Sequence, residues 1–397
     1  MVNEHMNIRK NIGAYLNVVG MELHNMVTYP VYLFCMVILP VFLIFFFTNI
    51  MHENLPQNIP VGIVDLDNSS TSRNLIRRFD SFYTSDIVAH YPNISTARKA
   101  MQNNEIYGFI YIPKGMSDDL VGNRQPKISF YYNNSVLLAG SLVYKEMRAI
   151  ATMGSAGYTL AKMQKMGYSN RDIMVYLQPI QNDVHALDNP WLNYNSYLSS
   201  IILPACIALF IFLVTAYSIS AEIKFARAKV WLRKANDNIL IAISGKLFPQ
   251  TCIFTAVMWF YQYWLFIHLG FPCNCSFWLV MLHGYLLVLA SQGFSVFIFG
   301  IMPSMRMSMS ICALFAVLSF SITGFTFPVD AMDPSLRLLS WLFPMRSYFM
   351  IYQINVLHGY PVEYAWDYYL ALSVFILLPV LVLWHIKKAL KEFEYLS

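Results

Sequence analysis

The sequence has little charge: Asp, Glu, Lys and Arg make up 12% of its 397 residues, whereas hydrophobic residues make up 57%. Soluble domains carry about 25% charged residues, so charge cannot coat a water-soluble particle of this size. The formal net charge of +5 is modest, and the absence of a long basic run argues against nucleic-acid binding. We therefore expect most of the chain to face lipid.

Motifs for metal binding and catalysis are also missing. The six cysteines give no disulfide framework, because four lie in apolar runs and the other two, Cys273 and Cys275, are only one residue apart. The sequence contains no HExxH, no GxSxG and no GxxxxGKS/T. We expect no metal site, no catalytic cluster and no bound cofactor, so any ATP-driven work must come from a partner.

Long uncharged runs are abundant. A helix needs roughly 20 apolar residues to cross a hydrocarbon core, and six runs approach or exceed that length: Val31–Ile50, Tyr197–Ser218, Leu247–Leu269, Phe277–Met302, Met307–Phe327 and Tyr368–His385. These runs hold almost no charge, which argues against an ion-coupled carrier. They predict a polytopic α-helical membrane protein with six transmembrane helices, the first within residues 29–51 and the others within 197–397.

Basic residues in the short connecting segments predict the orientation. Twelve lie on one side of the predicted spans: Arg9, Lys10, Lys224, Arg227, Lys229, Arg233, Lys234, Lys246, Arg306, Lys387, Lys388 and Lys391. The opposite short segments hold only Arg337 and Arg346. Both termini are therefore predicted to be cytoplasmic, and residues 52–196 to lie outside the cytoplasm.

Residues 1–28 show an amphipathic helical pattern and lack the cleavage site of a signal peptide. The apolar residues recur at helical spacing: Ile8, Ile12, Tyr15, Leu16, Val19, Leu23 and Met26. We expect a helix lying along the inner membrane surface. The alternative is a cytosolic helix packed on other protein.

Residues 52–196 have ordinary polarity and alternate short apolar runs with helical patterns. We predict strands at 59–66, 86–91, 106–112 and 126–132, and helices after Asn68, at 95–104 and over 136–166. This alternation is typical of a small inserted α/β domain. Gly154, Gly157 and Gly167 are candidate breaks in the last helix.

The segment after the first predicted strand contains Asp65, Asp67, Ser69, Ser72 and Arg73. Two carboxylates one residue apart suggest a divalent metal. No third ligand is nearby, so we favour the plainer interpretation that Asp65 ends a strand and Asp67 or Asn68 caps the next helix.

The predicted cytosolic loop, residues 219–246, carries a concentration of charge. Its Trp231 and Leu232 suggest a short helix that contacts the membrane, with charged residues available to a partner. A merely solvated positive-inside loop is the alternative. The candidate coupling residues are Glu222, Lys224, Arg227, Lys229, Trp231, Leu232 and Lys246.

Four segments resemble permease subunits of ABC-2 type transporters, in the branch with a large extracytoplasmic domain between the first two spans. They are IPVGIVDLDNSSTSRNLIRRF at 59–79, YGFIYIPKGMSDDL at 107–120, Gly245-Lys246-Leu247 with Pro249, and Gly324-Phe325-Thr326-Phe327-Pro328 followed by Phe343-Pro344 and His358-Gly359. One feature departs from the family pattern: Ala226-Arg227 stands where Gly-Thr usually follows the acidic residue, here Glu222.

The resemblance implies a dimer of permease chains, or a pair of related permeases, in the bacterial inner membrane. Two cytosolic ATP-binding subunits that bind ATP and Mg would grip the loop around 222–232. It also implies export, with a periplasmic adaptor and an outer-membrane channel as further partners.

We therefore expect a permease of an ATP-driven exporter that works by alternating access, with spans two and five at the dimer interface. The outer segment 328–361 is predicted to be partly re-entrant, forming either a gate or a passive cap. Apolar candidates for the translocation pathway, suited to a hydrophobic or amphipathic cargo, are Phe210, Phe212, Phe315, Phe320 and Phe325. The rival hypothesis is a membrane-anchored receptor or assembly factor whose outer domain binds a partner protein.

Overall fold

The computed structural model describes residues 2–50, 55–180, 183, 185, 189, 193–325 and 327–392, with side chains from residue 10 onwards. The chain divides into two compact units. The first unit comprises Met1–His52 with Leu187–Ser397, and the second unit comprises Glu53–Ala186. Thr326, Pro190 and Trp191 lie outside the described residues.

The first unit of the chain begins with two helices. Helix α1 spans Val2–Thr28, and α2 spans Pro30–Ile50 with a π-helical stretch at Phe34–Ile38. The apolar spacing in residues 8–26 predicts α1, although its buried side is set by other residues described below. Helix α2 is apolar enough to cross a membrane.

The described part of the second unit contains four strands and five helices. The elements are β1 Ile59–Asp65, α3 Ser70–Asp80, β2 Ser85–His90, α4 Ile94–Gln102, β3 Gly108–Ile112, α5 Met116–Val121, β4 Ser129–Tyr132, α6 Leu137–Lys165 and α7 Asn170–Leu177. The sheet order is β2-β1-β3-β4. β1 pairs in parallel with β2 and β3, and β3 pairs antiparallel with β4.

The larger of two apolar clusters in the second unit lies between the sheet and helices α3 and α6. Its buried residues include Val61, Ile63, Phe79, Ile110 and Val143. Helix α6 runs without interruption through Gly154 and Gly157, so the break expected at these glycines is absent; Gly167, with φ +88°, follows its end. Burial along one face of α6 stabilises the helix enough to offset the cost of two interior glycines, about 1 kcal/mol each.

The remaining helices belong to the first unit. They are α8 Tyr194–Lys224, α9 Ala228–Lys234, α10 Ile239–His268, α11 Phe277–Ile301, α12 Met305–Ile322, α13 Pro334–Ser340, α14 Pro344–Ile351 followed by a π turn at Tyr352–Leu357, and α15 Val362–Glu392. Among the described residues, six helices are long and apolar enough to span a membrane: α2, α8, α10, α11, α12 and α15.

Helices α8 and α10 extend further than the apolar runs predict. Helix α8 continues six residues past Ser218 to Lys224, and α10 begins at Ile239, where the side chain of Asn238 accepts a hydrogen bond from the Leu240 N–H at 3.0 Å. The connection between them therefore comprises residues 225–238 rather than 219–246. Glu222 and Lys246 belong to the long helices, so the expectation that these helices hold almost no charge needs correction.

Candidate functional site

Lys246 is fully buried in the first turns of α10, although an ammonium group is costly to remove from water. Its Nζ lies 2.7 Å from Oε2 of Glu22 in α1 and 2.8 Å from Oε1 of Glu222 in α8. The same Nζ lies 5.1 Å from the ring centroid of Trp231 in α9. One cation therefore contacts side chains from three other helices.

Further groups complete the cluster. Gln250 Nε2 donates to Glu22 Oε1 at 2.9 Å, and Asn25 Nδ2 donates to Glu22 Oε2 at 3.4 Å. Arg227, partly exposed, places Nε 3.7 Å from Glu222 Oε2 and donates to the Tyr29 hydroxyl at 3.4 Å. Two carboxylates thus face two cations, which is the balance that buried charges require.

Close backbone packing brings α1 to this cluster. A Cβ built on Gly245 would lie 3.1 Å from Cβ of Val18, so a side chain at residue 245 would push α1 away. Ala14, Val18 and Glu22, spaced four apart, lie buried on one side of α1. The approach of α1 to Gly245 therefore places the Glu22 carboxylate beside Lys246.

The turn after α8 aims the connection toward α9. Ala226 has φ +56°, a left-handed conformation that favours glycine. The N–H of Ala226 donates to the Ile223 carbonyl at 3.1 Å, and the N–H of Arg227 donates to that of Glu222 at 2.8 Å. This is a left-handed C-terminal cap.

The structure separates the predicted coupling residues into two groups. Lys224 and Lys229 are exposed and Arg227 is partly exposed, whereas Glu222, Trp231, Leu232 and Lys246 are buried. The expectation that Trp231 and Leu232 contact the membrane is not met. Both pack in an interior cluster with Val18 and Ile386, because that face of the short helix α9 lies against α1 and α15.

The exposed side of α1 carries large apolar residues among polar ones. Ile12, Leu16 and Leu23 are about half exposed, at 54%, 61% and 47%, and Val27 is more exposed still. Of the apolar residues in the predicted stripe, Tyr15 and Val19 are half-buried and Met26 is buried; Ile8 lies outside the described side chains. Helix α1 therefore buries Ala14, Val18, Glu22 and Met26 on one side and leaves several large apolar side chains exposed on the other.

The five phenylalanines proposed for the pathway do not form one group. Phe212 and Phe315 both pack around Phe294, with ring centroids 5.4 Å and 5.2 Å from it. Phe210, Phe320 and Phe325 pack against a different core cluster. In that cluster the ring centroids of Phe325 and Phe349 are 5.9 Å apart. The structure thus does not bring these residues to a common surface.

The acidic motif of the second unit, which begins at Asp65, forms a local turn. Asp65 Oδ1 accepts from the N–H groups of Asp67 and Asn68, each at 3.0 Å, and Oδ2 accepts from Ser72 Oγ at 2.7 Å. Arg73 donates to the Asn68 carbonyl at 2.6 Å. Ser69, rather than Asp67 or Asn68, caps α3: its Oγ accepts from the Ser72 N–H at 3.0 Å.

Asp67 joins this turn to α5. Its Oδ1 accepts from the Ser117 N–H at 3.5 Å. Partial burial raises the pKa of Asp67, but hydrogen bonds from Ser69, Ser117 and Gly115 together outweigh it and hold the pKa below its ordinary value. Both carboxylates therefore have structural partners within the unit.

A family model of ABC-2 family transporter proteins matches residues 30–385. The chain belongs to the ABC-2 transporter family. It is a permease of an ABC transporter, a membrane transport component of a kind that is generally not itself an enzyme and that implies an ATPase partner. A search of curated proteins finds no match. The matched range includes Glu222 and Lys246 but begins after Glu22.

Sequence reasoning identified Glu222 and Lys246 but missed Glu22, their partner. A usable signal was present: Glu22 continues the four-residue spacing of Ala14 and Val18 on the side of α1 opposite Leu16 and Leu23. A carboxylate that shares a helix face with small residues indicates a buried partner of opposite charge.

Proposed function

We propose that this chain is the permease subunit of an ATP-driven exporter and that cytosolic ATP-binding subunits act on the connection 225–238. The observation that carries the proposal is the Glu22–Lys246–Glu222 cluster, which links α1, α8 and α10 beside the short helix α9. Because the contacts are short and buried, a displacement of α9 would move α1, α8 and α10 together with it.

The surface around α9 suits a protein partner. Lys224, Lys229 and Arg233 are exposed next to the exposed apolar side chains of Phe225 and Val230. Mixed basic and apolar surface is typical of protein interfaces with a desolvated centre and a charged rim. The outward apolar side of α1 would meanwhile lie in the inner leaflet, as an interfacial helix does.

The orientation, the assembly and the cargo belong to the same proposal. Basic short segments support cytoplasmic termini in a bacterial inner membrane, with the second unit outside the cytoplasm. Two permease chains, identical or related, would alternate access to a hydrophobic or amphipathic substrate. A periplasmic adaptor and an outer-membrane channel would extend the export route.

Co-purification tests the coupling surface. The permease is co-expressed with a candidate ATP-binding-cassette subunit from the same genome, extracted in mild detergent and captured by a tag. We expect the ATPase to be retained, and Lys224→Glu with Lys229→Glu to lower retention about tenfold, which corresponds to about 1.4 kcal/mol. The matched control is Lys388→Glu with Lys391→Glu, which reverses two exposed charges near the end of α15.

Two results would overturn the proposal: no association between wild-type permease and ATPase, or a terminal tag reached by impermeant antibody in intact cells. The receptor hypothesis predicts instead that Lys224→Glu with Lys229→Glu leaves every phenotype of the cell unchanged. Transport loss in this variant, with normal protein abundance, would therefore exclude the receptor.

A further inference from the structure

Cys273 and Cys275 lie in the connection between α10 and α11, outside the candidate spans. Both are free and half-buried. The Cys273 thiol donates to the Cys275 carbonyl at 3.5 Å, and the Cys275 thiol to the Ser276 carbonyl at 3.6 Å. The Cys273 thiol thus lies against the backbone of Cys275, and the turn holds the two cysteines close together.

The covalent geometry of a disulfide is within reach of this pair. Disulfides join residues whose Cα atoms are about 4.4–6.8 Å apart. Two residues separated by one other cannot have Cα atoms more than about 7.6 Å apart. The separations open to this pair therefore overlap the disulfide range, and the turn already holds the Cys273 thiol against Cys275.

A neighbouring segment holds this turn in place. The Asn274 N–H donates to the Val356 carbonyl at 2.8 Å, and the Asn274 side-chain amide donates to the Leu357 carbonyl. Gly359, with φ +69°, packs so closely that a Cβ there would lie 3.0 Å from Cβ of Asn274. The arrangement of the thiols is thus fixed by the π turn after α14 as well as by the loop.

The environment also separates the roles of the two sulfurs. The hydrogen bond from Cys275 lowers the pKa of the Cys273 thiol, and the same contact raises the pKa of Cys275. A thiolate is the attacking form in thiol–disulfide exchange. Cys252, by contrast, is exposed on α10, and the described structure places no second thiol in contact with it.

We propose that Cys273 and Cys275 are a redox-active pair that external disulfides oxidise to a disulfide within the loop. The Cys273 thiolate attacks one sulfur of the oxidant and releases the other as a thiolate. Cys275 then loses its proton and attacks Cys273 in the mixed disulfide, releasing the second thiolate. Two thiols become one S–S bond, and the oxidant accepts two electrons and two protons. Exposure of the loop to the cell exterior rests on the proposed orientation.

Oxidation would restrict the turn that Asn274 anchors to Val356 and Leu357. The bond therefore would tie the α10–α11 connection more firmly to the segment that follows α14. The proposal thus assigns a modification site at the junction of three helices, remote in sequence from the charged cluster.

Mass spectrometry of the full-length protein tests the pair. Purified protein in detergent is equilibrated with mixtures of oxidised and reduced glutathione, quenched in acid and alkylated with maleimide. We expect the peptide holding Cys273 and Cys275 to lose two hydrogen atoms and to accept no maleimide until it is reduced. Cys252→Ser should behave as wild type, whereas Cys275→Ser should trap one glutathione on Cys273.

Two results would overturn the pair: two maleimides on the wild-type peptide at every glutathione ratio, or two glutathiones without an internal bond. Labelling of intact cells with an impermeant maleimide tests the proposed orientation separately from the redox pair. If the purified pair oxidises but its reduced thiols are shielded in intact cells, the redox pair stands and the proposed orientation fails.

Discussion

Lys246 Nζ lies 2.7 Å from Glu22 Oε2, although the two residues are 224 positions apart in the sequence. Both side chains are fully buried. The contact ties the N-terminal helix to the start of the third candidate span.

Lys246→Met should destabilise the protein by about 3–5 kcal/mol, because it leaves Glu22 and Glu222 buried without their shared cation. Thermal unfolding in detergent measures the loss, with exposed Lys224→Met as the control. Adding Glu22→Gln to Lys246→Met should recover part of the stability, since one unpaired charge is removed. Equal midpoints for Lys246→Met and wild type would contradict the charge balance.

Gly245→Leu should weaken the attachment of α1, because its side chain would collide with Val18. Overpacking of this kind costs about 1–3 kcal/mol. Hydrogen exchange should rise across residues 12–28. Gly20→Leu is the matched control, since a Cβ at Gly20 meets nothing within 4 Å; similar exchange in both variants would argue against close packing at residue 245.

Ala226→Gly should stabilise the protein by about 0.5–1 kcal/mol, because φ is +56° at this position and glycine adopts it without strain. Denaturation midpoints provide the measurement. Ala161→Gly, at an exposed position inside α6, should instead lower the stability, since helical glycine costs about 1 kcal/mol relative to alanine. A loss of stability in Ala226→Gly would count against the left-handed cap.

Asp67 should contribute pH-dependent stability to the second unit. Its pKa is lowered in the folded state, so the stabilisation is present above the ordinary value of 3.8 and is lost as the pH falls through the lower folded value. Amide exchange at residues 113–121 should therefore be faster in Asp67→Asn than in wild type at pH 7. The difference should vanish in acid; a difference that persists there would exclude this origin.

Much of the fold follows from the sequence because hydrophobic pattern is local information. The strand predicted at 59–66 is observed at Ile59–Asp65, and the one predicted at 86–91 at Ser85–His90. Helix ends were harder to place. Lys246 and Glu222 made the apolar runs look shorter than α10 and α8, since hydropathy cannot show that a charge is neutralised by a distant partner.

The charged cluster around Lys246 could be predicted only in part, because hydropathy does not show which charges have a distant partner. Glu222 and Lys246 drew attention as charges near apolar runs, but whether each side chain faces a partner or the interior depends on tertiary packing. Trp231 looks like a membrane contact in a basic loop, yet it is buried beside Lys246. Its burial follows from the packing of α9 against α1 and α15.

The charge cluster also constrains biogenesis. During synthesis Glu22 leaves the ribosome long before Lys246, with α2, the whole second unit and α8 emerging between them. Lys246 cannot neutralise Glu22 or Glu222 until the start of α10 has been synthesised. Docking of the N-terminal helix through Glu22 can therefore be completed only after that point in synthesis.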